Sequence, residues 1–304
     1  MMLNGTFNYT FKEEDVRYSS GDLSLAGTLL LPETDRSCPA VVCVHGSGPE
    51  TRSSTRHIGE LFAEKGIAAL IYDKRGTGSS MGNWFKDYWS YRELANDALA
   101  GVQFLKSRPE IDASQIGLWG LSEGGWVAPL AAASSLDVAF LITASAAGMS
   151  PLQQESYRRG LIDRASPSAW KRLWRRSMTR LLFALVAFPP LKLLPGITGF
   201  SARTFDYDPV PVWKNIKQPV LALWSDEDTC VPPRESAAII EKALQEGGNR
   251  AYTLYTFPHG DHCFYYSQEN AAGQMVWDLV PGYSEMMTNW VNYRGERNIA
   301  LSVL

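Results

Sequence analysis

Gly120-Leu121-Ser122-Glu123-Gly124-Gly125 follows an apolar run at residues 116–119 and precedes a helix-forming stretch. A serine between glycines at a strand-to-helix junction is held on a tight turn that lifts its hydroxyl out of the sheet. Gly120 and Gly124 suit that turn because side chains there would crowd it. Ser122 is therefore the candidate nucleophile, and the chemistry it implies is attack on a carbonyl carbon.

A serine hydroxyl needs a base. The chain has four histidines. His45 ends an early apolar run and suits a backbone-shaping role, while His57 opens a polar helical stretch and is expected in solvent. His259 and His262 lie in Pro258-His259-Gly260-Asp261-His262, directly after the last apolar run. His262 is taken as the base and His259 as a residue that shapes the turn. The base in turn needs a carboxylate to hold the productive tautomer. Ser225-Asp226-Glu227-Asp228 follows the preceding apolar run. Asp228, four residues before Pro232, is taken as that acid, with Asp226 and Glu227 as solvated turn residues. The order Ser, Asp, His along the chain agrees with such a site. Two backbone N–H groups are placed to receive the oxyanion formed on attack: that of Glu123, after the nucleophile, and that of Ser47, in His45-Gly46-Ser47-Gly48. The Glu123 side chain is expected only to complement the dipole of the helix it opens.

These residues require a scaffold of parallel strands with loops at one end. Strands are expected over 15–18, 23–31, 40–44, 68–72, 116–119, 139–143, 220–224 and 252–257, and helices over 55–65, 91–107, 123–134, 233–246 and 283–293. Short continuous apolar runs alternating with amphipathic helices predict an α/β fold, a mostly parallel, doubly wound sheet of about eight strands covered on both faces. The opening pair, split by Ser20-Gly21-Asp22, reads as an antiparallel hairpin.

The rhythm breaks between residues 144 and 220, too long a gap for an unstructured loop in a compact domain. Residues 149–216 are expected to be a helical lid inserted into a core formed by 1–148 and 217–304. In it Trp170, Leu173, Trp174, Met178, Leu181, Leu182 and Leu185 recur near helical spacing, opposite Lys171, Arg172, Arg175, Arg176 and Arg180. The segment holds 11 Lys/Arg and 4 Asp/Glu, a balance of +7, leaving 18 basic and 28 acidic residues, or −10, elsewhere. Its apolar face is expected to roof an acyl pocket, and its arginines either pair with acids on the body or attract anionic substrates. Pro189, Pro190, Lys192 and Pro195 interrupt the most apolar stretch, so stable membrane insertion is not expected.

The 304 residues carry a net charge of −3, which excludes the basic footprint of a nucleic-acid binder. Cys38, Cys43, Cys230 and Cys263 form no metal-ligand spacing and are expected as free thiols, even though the loops of the last two are placed to meet. No basic stretch followed by an apolar run opens the chain, and a cytoplasmic location is expected.

Four segments together resemble the α/β-hydrolase superfamily: His45 to Pro49, Tyr72 to Ser80, Ile116 to Gly125 and Asp228 to Pro232. More narrowly they resemble bacterial esterase-like hydrolases grouped with serine aminopeptidases and dienelactone hydrolases. The resemblance covers residue 16 to about 294 except the lid. It implies a Ser-His-Asp triad acting through an acyl-enzyme, without cofactor or metal, on a small-molecule ester or acyl substrate. Dienelactone hydrolases proper carry cysteine where Ser122 stands. Asp73 and Arg75 are expected in structural salt links. Carboxylic esters lead as substrates, with thioesters and N-terminal peptide bonds as alternatives on the same machinery. A non-catalytic binding protein of this fold is the other class of reading, which the intact set of residues disfavours. Dehalogenase and epoxide hydrolase chemistry would call for a carboxylate in place of Ser122.

Overall fold

The computed structural model describes residues 8–84, 90–165, 207–269 and 274–293, together with Ser168, Trp170, Trp174, Ser177 and Thr204. Eight strands form one sheet: β1 (Phe11–Ser20), β2 (Leu23–Pro32), β3 (Cys38–Val44), β4 (Ala68–Tyr72), β5 (Ile111–Leu121), β6 (Phe140–Ala144), β7 (Val220–Ser225) and β8 (Tyr252–Phe257). Their spatial order is β1-β2-β4-β3-β5-β6-β7-β8. β2 runs antiparallel to both its neighbours, and every other pairing is parallel.

The continuous apolar strands are explained by burial on both faces. Ala40, Val42 and Val44 of β3 face one core, with α2 (Tyr91–Lys106), α3 (Gly124–Ser134) and α6 (Pro233–Glu246) packed over it. Val41 and Cys43 face the other core, covered by α1 (Arg56–Ala63) and α7 (Tyr283–Asn292). Ser90 begins α2 with a reciprocal cap: its backbone N–H donates to Glu93 Oε2 at 2.7 Å, and its hydroxyl accepts from the Glu93 N–H.

The chain leaves β3 for β4 on one side and returns to β5 on the other. That reversal opens a crevice beyond the carboxyl ends of β3 and β5, where ligands bind in open parallel sheets. The loop bearing Ser47 and the turn bearing Ser122 both emerge there.

The sheet matches the expected architecture, with differences at its margins. β1 and β5 run several residues beyond the expected 15–18 and 116–119. In β5 the extension follows a register irregularity against β3 between Cys38 and Ala40, so Ile111 pairs with Cys38 outside the main ladder. A hairpin of β9 (Tyr265–Glu269) and β10 (Met275–Leu279) was not expected, because most of its side chains are exposed or half-buried and give no apolar run. The segment after β6 opens with α4 (Pro151–Ala165), where no helix was expected; α5 (Val210–Asn215) precedes β7. Trp170 and Trp174 are helical and largely exposed, at 74% and 59%, so neither indole packs into the core. Leu173, Met178, Leu181, Leu182 and Leu185, and the basic Lys171, Arg172, Arg175, Arg176 and Arg180, lie outside the described residues. Among the described residues no helix is long and apolar enough to cross a membrane.

Candidate functional site

Ser122 stands one residue past β5 with φ of +56°, a left-handed conformation that strains a side-chain-bearing residue. Its N–H donates to Ala144 O at 2.9 Å and its carbonyl accepts from Gly125 N–H at 2.8 Å, so the turn is held at both ends. A Cβ at Gly120 would lie 2.4 Å from Gly124 O, and one at Gly124 would lie 2.6 Å from Val44 O. Both glycines are thus required by close backbone approach: the first turn of α3 sits directly on the ends of β3 and β5.

His262 lies in the loop between β8 and β9. Its Nε2 is 2.9 Å from Ser122 Oγ, and its Nδ1 is 2.8 Å from Asp228 Oδ2. An ionised carboxylate only accepts, so Nδ1 carries the hydrogen and Nε2 turns its lone pair toward the Ser122 hydroxyl. The Asp228 side chain is fully buried, and its other oxygen accepts from the N–H groups of Cys230 at 2.7 Å and Val231 at 2.9 Å. The carboxylate is therefore fixed in the plane its histidine needs. Asp261 Oδ1 braces the histidine loop by accepting from the N–H groups of Cys263 and Tyr265. Ser145, buried at the end of β6 with φ of +51°, donates its hydroxyl to the His262 carbonyl at 2.8 Å.

The neighbouring candidates have other partners. Asp226 Oδ1 accepts from the His259 N–H at 2.7 Å, tying the two loops together outside the site. Glu227 faces His259 at 3.6 Å, both side chains mostly exposed. The His45 ring is wholly buried edge-on to Tyr72, and burial, reinforced by the Lys74 charge, pushes its pKa down to about 3. His57 is half-buried near Tyr265 rather than solvated, and burial lowers its pKa.

Ser47 follows Gly46, whose Cβ position lies 3.8 Å from Leu121 O and from Ser122 Cβ, so this loop abuts the serine turn. The amides of Ser47 and Glu123 donate to no other described backbone group. The Glu123 side chain does more than complement a helix dipole. It is buried, and its Oε1 accepts from Lys74 Nζ at 2.6 Å. Burial pushes this carboxyl up, against the opposing pull of Lys74 and of the Ser47 hydroxyl. Lys74 Nζ also donates to Gly46 O at 2.7 Å and to Gly48 O at 3.2 Å.

Lys74 was within a quoted motif, but nothing in its spacing singled it out. Asp73 and Arg75 are in structural ion pairs as expected, with Arg52 and Asp97 respectively. The four cysteines are free. Asp228, Cys230 and His262 bring ligand-type atoms within 4.8 Å of one another, a set that suits a soft divalent ion. Asp228 already accepts three hydrogen bonds there, and burial pushes the Cys230 thiol up, which favours the protonated, non-ligating form.

α4 lies over the acid loop: Gln154 Nε2 donates to Cys230 O at 2.5 Å, and Tyr157 OH donates to Asp228 O at 3.5 Å.

A sequence profile described as the alpha/beta hydrolase family matches residues 41–273. The chain is 30% identical over 111 residues to the quorum-quenching protein AidA of Acinetobacter baumannii, a stretch covering 36% of each protein. It is 31% identical over 140 residues to the thiohydrolase aneE of Aspergillus aculeatus, covering 46% of this chain and 42% of that one. The chain thus spans less than half the length of these curated relatives. Among solved structures, an esterase of Pyrococcus furiosus superposes with a TM-score of 0.57 at 21% identity, covering 82% of this chain and 83% of that one.

Proposed function

The chain belongs to the alpha/beta hydrolase family, and from that premise we propose that it is a serine hydrolase cleaving carboxylic esters through an acyl-enzyme. Ser122 is the nucleophile, His262 the general base and Asp228 the acid that orients it. The observation that supports this reading is the continuous hydrogen-bonded line Asp228–His262–Ser122, at 2.8 and 2.9 Å.

In the first step Ser122 Oγ attacks the ester carbonyl carbon while His262 Nε2 takes the hydroxyl proton. The imidazolium is stabilised by Asp228, which stays ionised. The carbonyl oxygen becomes an oxyanion that accepts from the Ser47 and Glu123 N–H groups, donors that need no reorganisation as charge develops. Collapse of the tetrahedral adduct expels the alkoxide, which leaves as the alcohol with the proton from Nε2, and Ser122 is acylated. Water then repeats the sequence, giving its proton to His262 and releasing the acid and the free serine.

Residues 149–216 serve as a lid over this crevice, entered through α4. The printed name of the thiohydrolase relative favours thioesters as a second substrate class, since a thiolate leaves the same adduct more readily than an alkoxide.

Ser122→Ala should lower kcat on a nitrophenyl ester by roughly three to six orders of magnitude and abolish labelling by a fluorophosphonate. Retained turnover, with the label on another serine, would falsify the assignment. Pairing each oxygen ester with the thioester of the same acyl group ranks the two substrate classes by kcat/KM.

A further inference from the structure

Lys74 follows β4, Gly46 to Gly48 follow β3, and Glu123 follows β5; the sheet order places these three strand ends side by side as β4-β3-β5. The Lys74 side chain spans them. Its ammonium has three hydrogens, and three oxygens accept from it: Gly46 O, Gly48 O and Glu123 Oε1. The side chain is only 3% exposed, and the Trp84 ring covers the ammonium at 5.0 Å from its centroid.

From this placement we propose that Lys74 is a positioning residue for the oxyanion-binding groups, holding the Ser47 and Glu123 amides in one geometry. The inference rests on the oxyanion reading of those amides given above. Its physical basis is the planarity of the peptide unit. Gly46 C=O and Ser47 N–H belong to the same trans peptide and point in opposite directions. When Lys74 draws the Gly46 carbonyl toward itself, the Ser47 N–H must face the other way. Glycine at 46 and at 48, the latter with φ of +101°, would otherwise let this segment adopt other orientations. The second anchor is Glu123, whose carboxylate binds Lys74 while its own N–H belongs to the peptide that follows the nucleophile. One buried cation thus ties the two donors to each other as well as to the sheet.

The test compares an oxygen ester with its thionoester, in which the carbonyl oxygen alone becomes sulfur. Donors set for an oxyanion stabilise the larger, weaker acceptor sulfur poorly, so a formed site strongly prefers the oxygen ester. Lys74→Met should lower kcat on the oxygen ester about 100-fold, the order expected for loss of one oxyanion donor, with KM within about threefold. The ratio of oxygen-ester to thionoester kcat/KM should fall at least about tenfold, because the thionoester has little of this stabilisation to lose. Glu123→Gln keeps an acceptor for Lys74 but removes the counter-charge, and should show the same collapse of the ratio at about a tenth of the magnitude in kcat. A loss shared equally by both substrates, or an unchanged ratio in a folded Lys74→Met, overturns the proposal. If Lys74→Met does not fold, an unchanged ratio in Glu123→Gln overturns it. Wild-type turnover that survives Ser122→Ala identifies failure of the underlying serine-hydrolase reading instead.

Discussion

Lys74 and Arg75 are consecutive, both are buried, and both end in ion pairs, yet they face different parts of the molecule. Lys74 reaches across the strand ends to Glu123 and to two carbonyls of the loop beside Ser122. Arg75 turns away to α2, where Asp97 accepts from its Nε at 2.6 Å and from its second terminal nitrogen at 2.7 Å, and the Glu93 carbonyl accepts at 3.1 Å. Burial pushes the Asp97 carboxyl up, against the pull of Arg75. A buried ion pair is weak evidence for net stabilisation, because desolvation offsets much of the attraction, but removing one partner strands the other. The two pairs therefore share the same desolvation and differ in what they orient: peptide groups at the site in one case, a helix against the sheet in the other.

The largest effect that sharpens this contrast should come from Arg75→Met. Stranding Asp97 without its cation should cost about 3–5 kcal/mol of unfolding free energy, measured by urea denaturation at neutral pH. The oxygen-ester to thionoester ratio of the remaining folded enzyme should match wild type. A collapsed ratio in this variant would erase the distinction between the two pairs.

An intermediate effect is expected at His45, one residue before Gly46. Its folded pKa, about 3, lies below the ordinary value of 6.5. The depressed value means that its stability contribution is present above pH 6.5 and is lost as pH falls toward 3. At pH 4.5 the loss from this group should be about 2 kcal/mol relative to pH 7. His45→Phe, which keeps a ring against Tyr72 and cannot take up a proton, should lack that increment in matched urea titrations at the two pH values. Parallel acid sensitivity in both proteins would show that His45 is not held neutral by its surroundings.

The smallest effect concerns Asp73, which precedes both cations. Its partner Arg52 is partly exposed, and Asp73 also accepts from the Ser79 and Arg52 backbone N–H groups at 2.8 and 2.9 Å. Those bonds survive Arg52→Gln, so the cost should be about 1 kcal/mol. A loss equal to that of Arg75→Met would mean that the two links are not graded by burial.

What the sequence made legible was local. Gly120, Ser122 and Gly124 announce their turn because side chains at the two glycine positions would meet backbone atoms under 3 Å away, a constraint visible in residue type alone. The strands were legible because burial on both faces leaves unbroken apolar runs. The partners of 73–75 were not, since three successive charges read as one polar loop until strand order assigns each a direction. Lys74 meets Glu123 only because β3 lies between β4 and β5, a neighbour relation that no spacing along the chain records. Ser145 escaped notice for the same reason: its partner is 117 residues away. The β9–β10 hairpin is exposed enough to leave no pattern, and its pairing becomes evident only from register.

The contacts of α4 with the acid loop bear on how this enzyme's specificity can be re-engineered. Gln154 and Tyr157 hold the carbonyls of Cys230 and Asp228, so the opening turns of the insertion belong to the catalytic chassis. A graft that exchanges the whole segment between two hydrolases would remove the brace on Asp228 along with the substrate cover. A splice placed after α4, beyond residue 165, keeps the chassis and swaps only the cover.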